Sequence, residues 1–89
     1  MIEKQIEVVN RLGLHARAAA KLVHLAGSFR SHVTLSRDGE QVDGKSILGI
    51  LLLAVPQGTR LSLRCEGDDE QRAVEALSGL FADRFGEGE

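Results

Sequence analysis

The chain has 89 residues, 43% hydrophobic and 27% charged, with a formal net charge of -2, which suits one globular domain spanning 1–89 with a single modest core. Cys65 is the only cysteine, so an intrachain disulfide, a thiolate zinc cluster and a redox pair are all excluded, and a reducing, cytoplasmic setting is expected. The small net charge and only three phenylalanines, without tryptophan or tyrosine, argue against nucleic acid as a partner, and neither Met1–Val9 nor the apolar run Ile47–Val55 has the makings of a secretory signal or a membrane span.

Ile2, Ile6 and Val8 alternate with Glu3, Gln5 and Glu7, which predicts a strand over Ile2–Val9 with one wet face. After the turn sequence NRLG, the helical spacing of Leu14, Ala18, Leu22, Leu25 and Phe29, with Arg17, Lys21 and His24 off that stripe, predicts a helix over Ala16–Ala26 closed by Gly27 and Ser28. His32–Arg37 and Glu40–Asp43 flank Asp38 and Gly39, a pair suited to the positive backbone dihedrals of a tight hairpin. The sequence GKS opens a second helix over Ser46–Leu53, which Pro56 and Gly58 end.

In Arg60–Glu66 the apolar Leu61, Leu63 and Cys65 alternate with polar neighbours to give the clearest strand of the chain. Asp68 with Gln71 forms a candidate capping box for a final helix that carries Ala73, Leu77, Leu80 and Phe81 on its stripe and reaches Arg84. The terminal GEGE is expected to fray. The resulting order β-α-β-β-α-β-α, with strands that each keep one polar face, implies an α+β fold in which helices cover one side of an antiparallel sheet.

Charge is unevenly placed. From Val8 to Arg37 there is no acid, while Arg11, Arg17, Lys21, Arg30 and Arg37 accompany His15, His24 and His32; the segment Glu66–Glu89 is rich in acids. The asymmetry fits either two solvated faces or a basic docking surface for an acidic partner.

His15, in the stretch GLHARAA, falls at the start of the first predicted helix, where backbone amides lack partners and the dipole is positive. That field disfavours an imidazolium, so a neutral ring keeps a nucleophilic nitrogen near pH 7, and the same amides can receive an anion attached to it. Arg17 can reach back to phosphate oxygens with its planar fork. Gly13 allows a turn that exposes the ring, and Ala16, Ala18, Ala19 and Ala20 keep bulk away from it. A phosphohistidine suits these residues, although a surface histidine at a helix start fits the spacing as well. No acid nearby in sequence is placed to orient the ring.

NRLGLHARAA followed some way on by GKSILGILLLA resembles the HPr family, the histidine-containing phosphocarriers of the bacterial phosphoenolpyruvate-dependent phosphotransferase system, and the resemblance runs along the whole chain. It implies an HPr-like open-faced β-sandwich with four antiparallel strands and three helices on one face. It also implies that His15 takes a phosphoryl group through Nδ1 from phosphorylated Enzyme I and passes it to A-type domains of Enzyme II proteins in sugar uptake. Arg17 would stabilise the phosphohistidine, with the backbone of Ala16 and Arg17 contacting the phosphate. The chain would then be a substrate of enzymes rather than an enzyme, a monomer without cofactor or metal. The family usually has proline after that arginine; Ala18 stands there instead, which suits a helix and leaves rigidity and transfer rate open.

Ser46 matches the serine that HPr kinase/phosphorylase modifies in part of the family, and it also suits a helix N-cap. A phosphate there would add negative charge beside the basic surface around His15. The apolar residues of the second helix outnumber what one sheet can bury. By resemblance Ile47, Leu48 and Leu51 contact Enzyme I and Enzyme II proteins, with Arg17 and Lys21 at the edge. The alternative is a nitrogen-branch or regulatory paralogue that acts by protein binding and through Ser46 rather than in sugar transport.

Overall fold

Period-two alternation in four segments builds one antiparallel sheet, and three amphipathic helices close over its apolar face. A computed structural model describes residues 1–88 as β1 (Ile2–Glu7), α1 (Ala16–Gly27), β2 (His32–Arg37), β3 (Glu40–Asp43), α2 (Ile47–Leu53), β4 (Arg60–Glu66) and α3 (Glu70–Ala82), then a 3-10 turn at Arg84–Gly86. The strand order is β1-β4-β2-β3. Register aligns Ile2 with Cys65 and Val33, and Leu63 with Leu35 and Val42, on the inner face; Glu3, Arg64, Thr34 and Asp43 share the outer one. Leu22, Ile50, Leu53, Leu77 and Phe81 bring all three helices into the same core, so the expected open-faced sandwich is the observed fold. No helix among the described residues is long and apolar enough to cross a membrane.

The hairpin forms as its residues dictate: Asp38 and Gly39 take φ of 51° and 85°, both positive, as the two-residue turn requires. β1 ends two residues earlier than expected. Val8 still donates to Thr59 O at 2.9 Å and accepts from Gly58 N–H at 2.7 Å, but Gly58 at φ 89° breaks the regular ladder.

The start of α3 departs from the expected capping box. Asp69 is the N-cap and makes no side-chain bond to its own helix. Its carboxylate instead accepts from the amides of Arg30 and Ser31, each at 2.9 Å, and from Ser31 Oγ at 2.5 Å. The amides of the α1–β2 connection have no ladder partner, and a carboxylate satisfies both at once, so the tertiary bonds prevail over the local cap. Glu70 takes the local role by accepting from Gly67 N–H at 3.1 Å.

The Ser31 hydroxyl first, and then the Arg30 amide, hold the Asp69 carboxyl at about 2, against an ordinary 3.8. A folded-state value below the unfolded one means that stability from this group is complete above the unfolded value and is lost as pH falls through the folded one. Asp69→Ala is therefore expected to lower stability at neutral pH and to flatten the acid limb of the stability curve between about pH 4 and pH 2. Urea titrations of both proteins across that range check it.

α3 also stops short of Arg84, at Ala82. Arg84 and Phe85 both turn left-handed, with φ of 56° and 55°, which swings the Phe85 ring into the core edge-on to Phe81 with ring centroids 4.9 Å apart. The chain is thereby turned back toward the start of α1. Gly86 and Glu87 are held rather than frayed as expected, while Glu89 lies outside the described residues.

Candidate functional site

The turn before α1 is set by Gly13, Leu14 and Asn10. Gly13 sits at φ +67°, and a Cβ there would lie 2.4 Å from Val55 O, so both the dihedral and the close approach of two backbones require glycine. Leu14 N–H donates to that carbonyl at 2.9 Å, which fastens the turn to the chain leaving α2. Asn10, fully buried, donates from Nδ2 to Gly13 O at 2.7 Å.

Fixed in this way, His15 becomes the N-cap of α1, with φ -75° and ψ 178°, and its Nδ1 accepts from Arg17 N–H at 3.3 Å. A ring nitrogen that accepts a hydrogen bond carries its lone pair there. The side chain is 28% exposed and opens on a cleft of about 710 Å³ lined by Arg11, Leu12, His15, Ala16, Arg17, Lys21, Gly86 and Glu87. Three cations, Arg11, Arg17 and Lys21, thus line a cleft at the amino end of a helix, beside a ring nitrogen that carries a lone pair.

An acid completes it, from the far end of the chain. Glu87 bonds His15 Nε2 through one carboxylate oxygen, while the other accepts from Asn10 Nδ2 at 3.1 Å. Lys21 Nζ donates to Phe85 O at 2.6 Å and fixes the approach of this segment. Desolvation pushes the Glu87 carboxyl up, but the hydrogen bonds from His15 and then Asn10 outweigh it and leave the group below its ordinary value.

The expected site residues fall into two groups. His15, Ala16, Arg17 and Lys21 come together on the cleft, with Arg17 exposed and the Lys21 ammonium bonded to the Phe85 carbonyl. Ala18 and Ala19, expected to leave room around the ring, are fully buried in the core, because the stripe of α1 runs through them; Ala18 fits the first turn of the helix without strain. Ile47, Leu48 and Leu51 are exposed on α2 along with Leu52, while Ile50 and Leu53 are buried. Leu12, 62% exposed, adds an apolar residue beside the histidine.

Arg37 steadies the end of α2 by donating to Leu53 O at 3.0 Å and Ala54 O at 3.3 Å. At the other end Ser46 is the N-cap, its Oγ accepting from Gly49 N–H at 3.1 Å. Ser46→Ala is expected to cost about 0.5–2 kcal/mol through loss of that cap, read as a lower urea midpoint with an unchanged slope.

Sequence reasoning missed Asn10, Leu12 and Glu87. Glu87 had no local signal, since it stands 72 positions from His15.

Comparison with known proteins accords with this geometry. A profile of the family described as the PTS HPr component phosphorylation site matches residues 2–83. The chain is 53% identical over 89 residues to the phosphocarrier protein HPr of Cupriavidus necator, covering 100% of both. It belongs to the HPr family. An HPr crystal structure from Thermoanaerobacter tengcongensis matches with a TM-score of 0.95 at 46% identity, covering 98% of each chain, and an HPr dimer from the same organism with a TM-score of 0.79 at 46% identity, covering 98% of this chain and 100% of that one. The matching family profile describes a phosphorylation site, and the Cupriavidus relative is by name a phosphocarrier.

Proposed function

We propose that His15 is the phosphoryl acceptor, taking the group on Nδ1 from phosphorylated Enzyme I and handing it to A-type domains of Enzyme II proteins in sugar uptake. The observation that carries the reading is the Nδ1 lone pair facing the Arg17 amide at the start of α1. As Nδ1 bonds to phosphorus, that amide and the neighbouring Ala16 amide are left to receive phosphate oxygens, and the Arg17 guanidinium closes over the outer ones. No metal is required, because the transfer needs only positioning and positive charge.

The docking surface is the apolar face of Ile47, Leu48 and Leu51 with the cleft's cations at its border. Large apolar side chains left in water next to a reactive group are what a transient protein interface provides. The carrier works in the cytoplasm as a monomer; the dimer of the Thermoanaerobacter relative belongs to that protein.

Ser46 is the candidate regulatory site for HPr kinase/phosphorylase. It stands half-buried at the start of α2, next to exposed Ile47 and Leu48, so a phosphate there would put a dianion on the docking face. Two incubations separate the roles. Enzyme I with phosphoenolpyruvate should give an acid-labile label lost in His15→Ala, and HPr kinase with ATP an acid-stable label lost in Ser46→Ala. Failure of the first with folded protein contradicts the carrier; a label in the second alone favours the nitrogen-branch or regulatory alternative.

A further inference from the structure

We propose that Glu87 is a positioning residue for transfer at His15: its carboxylate holds the Nε2–H, leaves the lone pair on Nδ1, and balances the positive charge the ring gains on phosphorylation. The role rests on the reading of His15 as acceptor and adds to it an acid supplied by the end of the chain.

Two contacts select the tautomer. An ionised carboxylate only accepts, so Nε2 must donate to Glu87, and the Arg17 amide only donates, so Nδ1 must accept. Of the two neutral forms of the ring, only the one with its proton on Nε2 satisfies both partners.

The carboxylate is held in place from several directions. Both acceptors of Asn10 Nδ2, Gly13 O and Glu87 Oε1, are oxygens, so the amide has one possible orientation and links the tail directly to the turn that sets His15. The buried ring of Phe85 and the Lys21 bond to its carbonyl fix the residues just before. Arg84 and Phe85 hold left-handed dihedrals, a conformation that non-glycine residues keep only when surrounding contacts impose it. A solvated surface ion pair would need none of this.

In the transfer, the Nδ1 lone pair forms a bond to phosphorus as the donor's bond to phosphorus breaks, and that electron pair departs with the donor. The ring keeps its Nε2 proton and becomes cationic. An anion already bonded at Nε2–H stabilises this charge as it develops, without reorganisation. On the return step the ring leaves phosphorus as a neutral imidazole.

The test combines a tautomer measurement with a rate. Nitrogen NMR of the labelled imidazole at alkaline pH, where the ring is neutral, should show the proton on Nε2 in the wild type and a mixture of both forms in Glu87→Ala. The rate of label uptake from phosphorylated Enzyme I should fall about tenfold in the variant, in kcat rather than in KM for the donor. Backbone amide spectra confirm that the variant is folded, and the wild-type spectrum decides by itself: a proton on Nδ1 overturns the assignment whatever the variant does. An unchanged tautomer and rate in Glu87→Ala overturns the role of Glu87 alone. Absence of label on wild-type His15 would instead overturn the acceptor reading, and this role with it.

Discussion

His15→Ala is expected to lower phosphoryl uptake from Enzyme I and phosphoenolpyruvate by at least about a thousandfold, because it removes the atom proposed to form the bond to phosphorus. The remaining histidines do not replace it. His24 lies in the last turn of α1, at the negative end of the dipole, and His32 begins β2 on the exposed face of the sheet; neither stands before bare helical amides. The fold should persist, since His15 is a partly exposed cap whose loss costs about 1 kcal/mol. Uptake of label and an amide spectrum on the same sample separate loss of chemistry from loss of structure.

The largest loss of stability is expected from Phe85→Ala. The ring is 1% exposed and meets Phe81 edge-on, and truncation of a buried phenylalanine costs about 3–5 kcal/mol. A chain of this size has about 5–13 kcal/mol in all, so the urea midpoint should fall by a large fraction of its value. The same change should reach the site. Without the ring the tail keeps the Lys21 bond to the Phe85 carbonyl, the turn bonds of the Gly86 and Glu87 amides, and the contacts of Glu87 itself, but loses its anchor in the core, so the imidazole should show both tautomers at temperatures where the protein is still folded. A single tautomer in the folded variant would mean that Glu87 needs no anchor.

Much of this fold was legible because its elements follow local rules. β4 was found at its observed bounds since Leu61, Leu63 and Cys65 alternate without interruption, and the Asp38–Gly39 hairpin since its dihedrals admit few residues. The position of His15 at a helix start was legible because it depends on a local feature, the helix that follows it. What escaped was non-local. Asp69 abandons its own helix for two amides of another connection, and no pattern near Asp68 or Gln71 reveals that competition. The end of the chain was misjudged for a related reason. Glycines and acids after α3 suggest fraying, and only the left-handed turn at Arg84 and Phe85, imposed by burial of one ring, brings Glu87 back to His15.

The exposed apolar face of α2 lies between these cases. Counting six large aliphatic residues on a short helix showed that some must face water, and Ile47, Leu48, Leu51 and Leu52 do. Leu12 belongs to the same exposed apolar set, yet a single leucine in a turn has no periodicity to mark it.

The most direct test of the central claim is to find which nitrogen carries the phosphorus. Protein labelled with nitrogen-15 in its histidines, incubated with Enzyme I and phosphoenolpyruvate, should show phosphorus-nitrogen coupling at Nδ1 of His15, with the proton retained on Nε2. Coupling at Nε2, at another histidine, or at none in folded protein with a competent donor would contradict it.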